Sequence, residues 1–278
     1  MTEQPAQQAL PLPIVQPSAA EPVATRLARL IRDGIRAWDA GRDRSRQIRL
    51  GPSSLGHSCL RHLAYYATGA PKGQPKGDPL PAILGTWGHS GLDLAFGGDP
   101  EWQLGHRVEI GPDLTGTYDL YHVPTGTVVD AKFLGTDALT RLRRHGPSRQ
   151  YRVQVHTYGF GLMREGYDVR HVALACLPRS GFLRDILVWA EPWDEQVCEE
   201  ALQRWYTLKE AAPVLAATPE LFTGLPTADG PCSWCPWLST RESAAEHPEL
   251  GCAGHSGRAA QLARETAALM AEEKGEAR

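Results

Sequence analysis

Residues 116–133, GTYDLYHVPTGTVVDAKF, decide the fold. They read as two strands joined by a tight Pro-Thr-Gly turn. Yet Asp119, Asp130 and Lys132 stand among apolar neighbours where a core should form. Strand side chains alternate between faces, so Asp130 and Lys132 share one side and Val129, Ala131 and Phe133 the other. Asp119, on the neighbouring strand, can lie opposite the first pair. Three explanations are open: a wet hairpin face, a structural ion pair, or acids that hold a divalent cation with the lysine beside the reacting water or phosphate.

Working outward, strand-like runs cover 103–110, 114–121 and 127–133. A helix is expected over 82–96, although Gly85 and Gly88 weaken it and imply a packing or functional reason. Gly85 and His89 are four apart and share a helix face, where glycine would admit a backbone or a phosphate. Downstream, SRQYRVQVHTYGFGLMREG reads as a helix ending at Gly166. It places Gln154 and Tyr158 on one side. VRHVALACLP and LRDILVWA follow as strands, then an amphipathic helix broken near Pro213. Upstream lie a helix over 23–40, another over 54–66 begun by capping serines, and a Pro/Gly-rich loop. Four regions are expected: a disordered leader 1–22, an N-terminal helical region 23–81, a core 82–212, and a cysteine-bearing segment 213–278 ending in a polar helix from about Ser256.

The 278-residue chain is 42% hydrophobic and 22% charged, which suits a soluble globular protein. No apolar run nears the ~20 residues that span a bilayer. The N-terminus lacks a basic region and is interrupted by prolines, so a cytoplasmic location is expected. Net charge is −3, which excludes a basic nucleic-acid binder as a whole. The distribution says more. Residues 24–50 hold eight Arg against three Asp, and residues 138–154 hold five Arg (Arg141, Arg143, Arg144, Arg149, Arg152) and no acid. Each run can be a solvated helix face. Arginine also grips phosphate bidentately, so both are compatible with a DNA track.

In order, the chain presents G-x-x-x-H (Gly85, His89), G-x-x-D (Gly116, Asp119), D-x-K (Asp130, Lys132) and Q-x-x-x-Y (Gln154, Tyr158). That series resembles the PD-(D/E)XK nucleases of the RecB type, and within them the CRISPR-associated iron–sulfur exonucleases and their phage-encoded relatives. The resemblance covers residues 85–158. It implies an α/β restriction-endonuclease-like core, a central mixed sheet flanked by helices, with N-terminal helices and a C-terminal iron–sulfur appendix. It implies that His89, Asp119 and Asp130, with the Ala131 carbonyl, hold Mg²⁺ or Mn²⁺, the imidazole favouring Mn²⁺. Lys132 would orient or deprotonate the attacking water, and Gln154 and Tyr158 would position water or the DNA backbone. Asp130 departs from the glutamate many relatives carry. The activity implied is metal-dependent exonucleolytic hydrolysis of DNA ends or single strands in phage-type replication or recombination, with a recombinase or single-strand-binding protein as a further partner. The alternatives are an inactive DNA-end scaffold of the same fold and a zinc-stabilised nucleic-acid-binding module.

Six cysteines in a reducing compartment point to metal before disulfides. Cys176, in an apolar strand, and Cys198, on an amphipathic helix, read as small buried hydrophobes. Cys232, Cys235, Cys252 and His255 alone can make a Cys₃His zinc site, and their spacing leaves zinc and iron–sulfur both open. The family resemblance implies one cysteine before the core and three after, hence a 4Fe–4S cluster on Cys59, Cys232, Cys235 and Cys252 that staples the C-terminal segment to the N-terminal helices. Trp234 and Trp237 would pack against it.

Overall fold

The computed structural model describes residues 22–41, 49–73, 78–228, 232 and 235–255. The expected leader, Arg42, Arg44, Arg46, Trp234 and the helix from Ser256 lie outside them. The chain divides into two compact units, residues 1–47 and 48–278. In the first, α1 (Val23–Ala40) is amphipathic, with Val23, Leu27, Leu30, Ile31 and Trp38 along one side. The remaining elements belong to the second.

A mixed five-stranded sheet is flanked by helices, as expected. Its order is β1 (Trp102–Leu104), β4 (Leu120–His122), β5 (Thr127–Leu134), β6 (His171–Pro178), β7 (Leu187–Pro192). The β4–β5 pair is antiparallel and β5–β6 parallel, the latter joined by a crossover through α5 (Thr136–His145) and α6 (Arg149–Arg164). One sheet face supports the main core, where Val128, Val172 and Leu174 meet Val153, Val155 and Leu162 of α6. The other carries Leu120, Val129 and Ala173 beneath α4 (Leu80–Phe96), with Phe96 and Trp102 packed alongside. Among the described residues no helix is long and apolar enough to cross a membrane.

Two of the expected strands are each broken in two. The 103–110 run becomes β1 and β2 (Arg107–Gly111), and the 114–121 run becomes β3 (Leu114–Thr117) and β4. The breaks face each other, and β2–β3 form a separate two-stranded sheet. Gly105 causes this. Its N–H donates to the Asp119 carbonyl at 2.8 Å, and a Cβ there would lie 1.6 Å from the Tyr118 carbonyl oxygen. Only a bare backbone allows that approach. Gly105→Ala must displace backbone, and an overlap of this kind destabilises by about 3 kcal/mol or more. Thermal melts should show a Tm lowered by about 10 °C.

The expected 54–66 helix is also interrupted. It is α2 (Pro52–Leu55) and α3 (Leu60–Ala67), with Cys59 capping α3. At the break, a Cβ on Gly56 would meet Val153 Cβ at 2.6 Å and Gln150 Cα at 2.9 Å, so the loop lies flush on α6. Its carbonyls are held by arginines: Arg149 Nη1 donates to Gly56 O at 3.0 Å, and Arg204 donates to His57 O at 2.6 Å and Ser58 O at 2.9 Å. Arg204 belongs to α7 (Glu195–Ala217), which runs through Pro213 instead of breaking there. Leu208 and Leu215 are buried on either side of that proline, and their packing offsets the lost backbone bond.

Candidate active site and thiol pocket

The β4–β5 ladder ends at the Leu120–Val129 pair, while β5 continues to Leu134. Beyond the end, the Asp119 carboxylate replaces a strand partner: its Oδ2 accepts the Ala131 N–H at 2.7 Å. The other oxygen lies 3.3 Å from His89 Nδ1 on α4. Asp119 is thus fixed at both ends, by Gly105 on its carbonyl and by Ala131 on its side chain.

Asp130 and Lys132 point together to the α6 face, as alternation requires. Asp130 is 2% exposed. Its Oδ2 lies 2.7 Å from Lys132 Nζ, and its Oδ1 accepts from Gln154 Nε2 at 2.9 Å. Gln154 Oε1 accepts from Lys132 Nζ at 3.0 Å, and Gln154 Nε2 also reaches Tyr158 Oη at 3.2 Å. Burial pulls the Lys132 pKa down, but the adjoining Asp130 carboxylate outweighs it and the net shift is upward. Lys132 is therefore an ammonium throughout the neutral range. Tyr151, one turn before Gln154, carries Lys132 Nζ 5.0 Å from its ring centroid. Sequence reading missed Tyr151, although positions 151, 154 and 158 share a helix face.

The structure brings six of the expected residues into two linked groups: a deep one (Asp130, Lys132, Gln154, Tyr158) and a rim pair (His89, Asp119). Among the described residues, no group of three or more His, Cys, Asp or Glu forms a ready metal cage. The donors nonetheless fit a hard divalent cation in kind, an imidazole and two carboxylates beside a backbone carbonyl. Asp130 Oδ2 also fits: it is buried and faces the lysine charge at 2.7 Å. Gly85, expected at a close approach, is open, with nothing within 4 Å of a Cβ. The tight glycine is Gly88, where a Cβ would lie 2.2 Å from Phe133 Cζ, and this seats α4 on β5 next to His89.

The arginine run is split by Gly146 and Pro147 into α5 and α6, and α5 was not foreseen because only Leu139 and Leu142 mark its buried side. Arg141, Arg143 and Arg144 are exposed on α5. Arg149 and Arg152, expected on DNA, are engaged within the protein. Arg149 bonds Gly56 O, and Arg152 Nε pairs with Glu191 Oε1 at 2.5 Å. The same Glu191 oxygen lies 2.6 Å from Nε2 of the fully buried His156, whose Nδ1 accepts the Asp194 N–H at 3.1 Å. Nε2 thus carries the proton, and burial holds the His156 pKa below its ordinary value.

Cys59, Cys232, Cys235 and Cys252 line one pocket, together with His57, Arg61, His62 and His255. The Cys235 N–H donates to the Cys232 carbonyl at 2.9 Å, and Leu238 bridges Cys252 in parallel. Polar hydrogens face the sulfurs. Cys59 Sγ accepts from His62 N at 3.4 Å, and Cys252 Sγ from Gly254 N at 3.3 Å and Arg61 Nη1 at 3.5 Å. Cys235 Sγ lies 3.4 Å from His62 Nδ1. Burial, reinforced by the Cys59, Cys252 and Cys232 thiols and opposed by the Trp237 backbone, pushes Cys235 up to about 12. A sulfur set with N–H donors is of the kind that suits a thiolate-bound centre, and both Cys59 and His255 line the pocket, although among the described residues no group of three or more His, Cys, Asp or Glu stands ready to hold a metal ion. Trp237, 2% exposed, stacks on Tyr65 and meets the His62 ring edge-on. The histidines flanking Cys59 in HSCLRH were the overlooked signal. Cys176 and Cys198 are buried thiols raised to about 11 and about 12 by burial, the small hydrophobes expected.

No protein-family model and no curated protein matches the chain. Among solved structures it is similar to an alkaline exonuclease from Laribacter hongkongensis, with 11% identity and a TM-score of 0.46 over 65% of this chain and 95% of that one. It is also similar to a phage-related exonuclease from Haemophilus somnus 129PT, with 12% identity and a TM-score of 0.37 over 61% and 95%. Neither likeness is close enough to assign an activity or a residue role here.

Proposed function

We propose that this chain is a divalent-metal-dependent deoxyribonuclease of the PD-(D/E)XK type, an exonuclease on DNA ends or single strands, acting in the cytoplasm and built around an iron–sulfur centre. The observation that carries this reading is the hydrogen-bonded set Asp130–Lys132–Gln154–Tyr158 beside Asp119, whose carboxylate takes the place of a strand partner at Ala131. His89, Asp119, Asp130 and the Ala131 carbonyl would hold Mn²⁺ or Mg²⁺. Such a cation supplies a water of lowered pKa and polarises a phosphoryl oxygen. Lys132, kept protonated by Asp130, serves as a hydrogen-bond donor and positive charge toward the phosphate, and not as the base. Gln154 fixes Lys132 and Asp130 relative to each other, and Tyr158 holds the Gln154 amide. Arg141, Arg143 and Arg144 face the DNA backbone.

The test is digestion of end-labelled single- and double-stranded DNA by the purified chain with Mn²⁺, Mg²⁺ or EDTA. Cleavage with either cation and none in EDTA is expected; its absence under both cations sinks the reading. Replacing Arg141, Arg143 and Arg144 by Gln should weaken binding for every sequence and flatten the log K against log [salt] slope by about 2. One observation favours a second reading. Asp130 is already charge-compensated by Lys132 and hydrogen-bonded by Gln154, as a catalytically silent DNA-end scaffold would have it. Binding without metal-dependent turnover in the same experiment identifies that case.

A further inference from the structure

We propose that the turn after β6, residues 179–186, is a contact for an unpaired nucleobase next to the scissile phosphate; this rests on the nuclease reading above. Phe182 is 61% and Leu183 84% exposed, large apolar side chains that folding alone leaves uncovered. The turn that displays them is rigid. Gly181 has φ 133°, a conformation that favours glycine. Asp185 Oδ2 accepts the Phe182 N–H at 3.0 Å, Asp185 N donates to Phe182 O at 2.9 Å, and residues Leu183–Asp185 form a 3-10 turn. The Arg184 guanidinium sits 4.1 Å from the Phe182 ring centroid, a cation on an aromatic face.

Place and charge select the occupant. Strands β5 and β6 are parallel, so the turn leaves the sheet at the end toward which Asp130 and Lys132 lead. Arg179 N donates to Leu134 O and Arg179 Nε to Phe133 O, both at 2.9 Å, which straps the turn to the residues directly after Lys132. Arg179 and Arg184 are its cations, and its single acid, Asp185, is engaged in holding Phe182. An exposed ring with one guanidinium on a face, in a turn strapped beside a phosphate site, suits a base joined to a phosphodiester: the open face of the ring stacks on the base and the turn's positive charge favours the backbone.

The experiment measures fluorescence anisotropy of a 5′-labelled single-stranded oligonucleotide in EDTA, with and without abasic nucleotides near the 3′ or the 5′ end, against the intact chain and its Phe182→Ala and Phe182→Trp variants. Stacking predicts that Phe182→Ala weakens binding about tenfold, that Phe182→Trp restores it, and that abasic substitution near one end weakens the parent chain but not Phe182→Ala. Equal affinity of parent and Phe182→Ala, or equal abasic sensitivity of both, overturns the proposal while leaving the nuclease reading intact. A change of oligomeric state in Phe182→Ala, seen by sedimentation, with abasic sensitivity preserved, assigns the turn to a self-interface and also overturns it. A parent chain that neither binds DNA nor cleaves it with metal removes the nuclease reading itself.

Discussion

Asp130→Asn is expected to lower metal-dependent DNA cleavage by more than about a thousandfold and also to destabilise the protein, because it leaves the Lys132 ammonium without the carboxylate 2.7 Å away. Asparagine keeps an acceptor for Gln154 Nε2 but sets an uncharged amide against Lys132 Nζ. Lys132→Met should lose activity comparably and destabilise the protein, because it strands the Asp130 carboxylate, 2% exposed, without its counter-charge. Breaking a buried pair from one side costs about 3–5 kcal/mol. The double variant Asp130→Asn, Lys132→Met should recover much of that stability and none of the activity. Melting curves and a digestion time course on the four proteins separate the three explanations of the hairpin charges. A wet face moves neither measurement, an ion pair moves stability alone, and a catalytic pair moves both. The pH dependence has a definite sign. The folded-state pKa of Lys132 is raised above its ordinary 10.5, so the stability linked to its protonation is fully present below 10.5 and is lost as pH rises through the raised folded value.

Protein prepared without oxygen is expected to be brown, with acid-labile sulfide and about four irons per chain. Cys252→Ser should remove the colour, lower Tm by many degrees, and loosen residues 235–255 to protease. The reason is topological: a cluster on these cysteines would join Cys59, ahead of the sheet, to a segment following α7, and a tie across so long a loop removes much freedom from the unfolded chain. Colourless protein with one zinc per chain, retained in Cys59→Ser and lost in His255→Ala, would replace the cluster with a Cys₃His centre. Both fourth ligands line the same pocket, so metal analysis of these two variants decides between them.

The parts of this architecture that sequence exposes are those whose signal is local. Strand β5 declared itself by alternation, and α6 by its terminal glycine, so Asp130 and Lys132 could be placed on one strand face and Gln154 and Tyr158 on one helix face from the sequence. The breaks could not be placed. Gly105 is one glycine among 28, and its meaning lies in the Tyr118 carbonyl, which is remote in sequence. Gly56 likewise gains its role only from Val153 and Gln150. Helix α5 was hidden because arginines fill its outward side and two leucines are too few to set a period. Arg149 and Arg152 looked free for phosphate because neither the bare carbonyl of Gly56 nor the carboxylate of Glu191 is nearby in the chain.

The loop that carries Cys59 rests without any cushioning side chain on the helix that carries Gln154. Any side chain added at Gly56 would have to push Val153 or Gln150 aside, within one turn of Gln154, so a change in the approach to Cys59 is transmitted to the residue that holds Asp130 and Lys132 together.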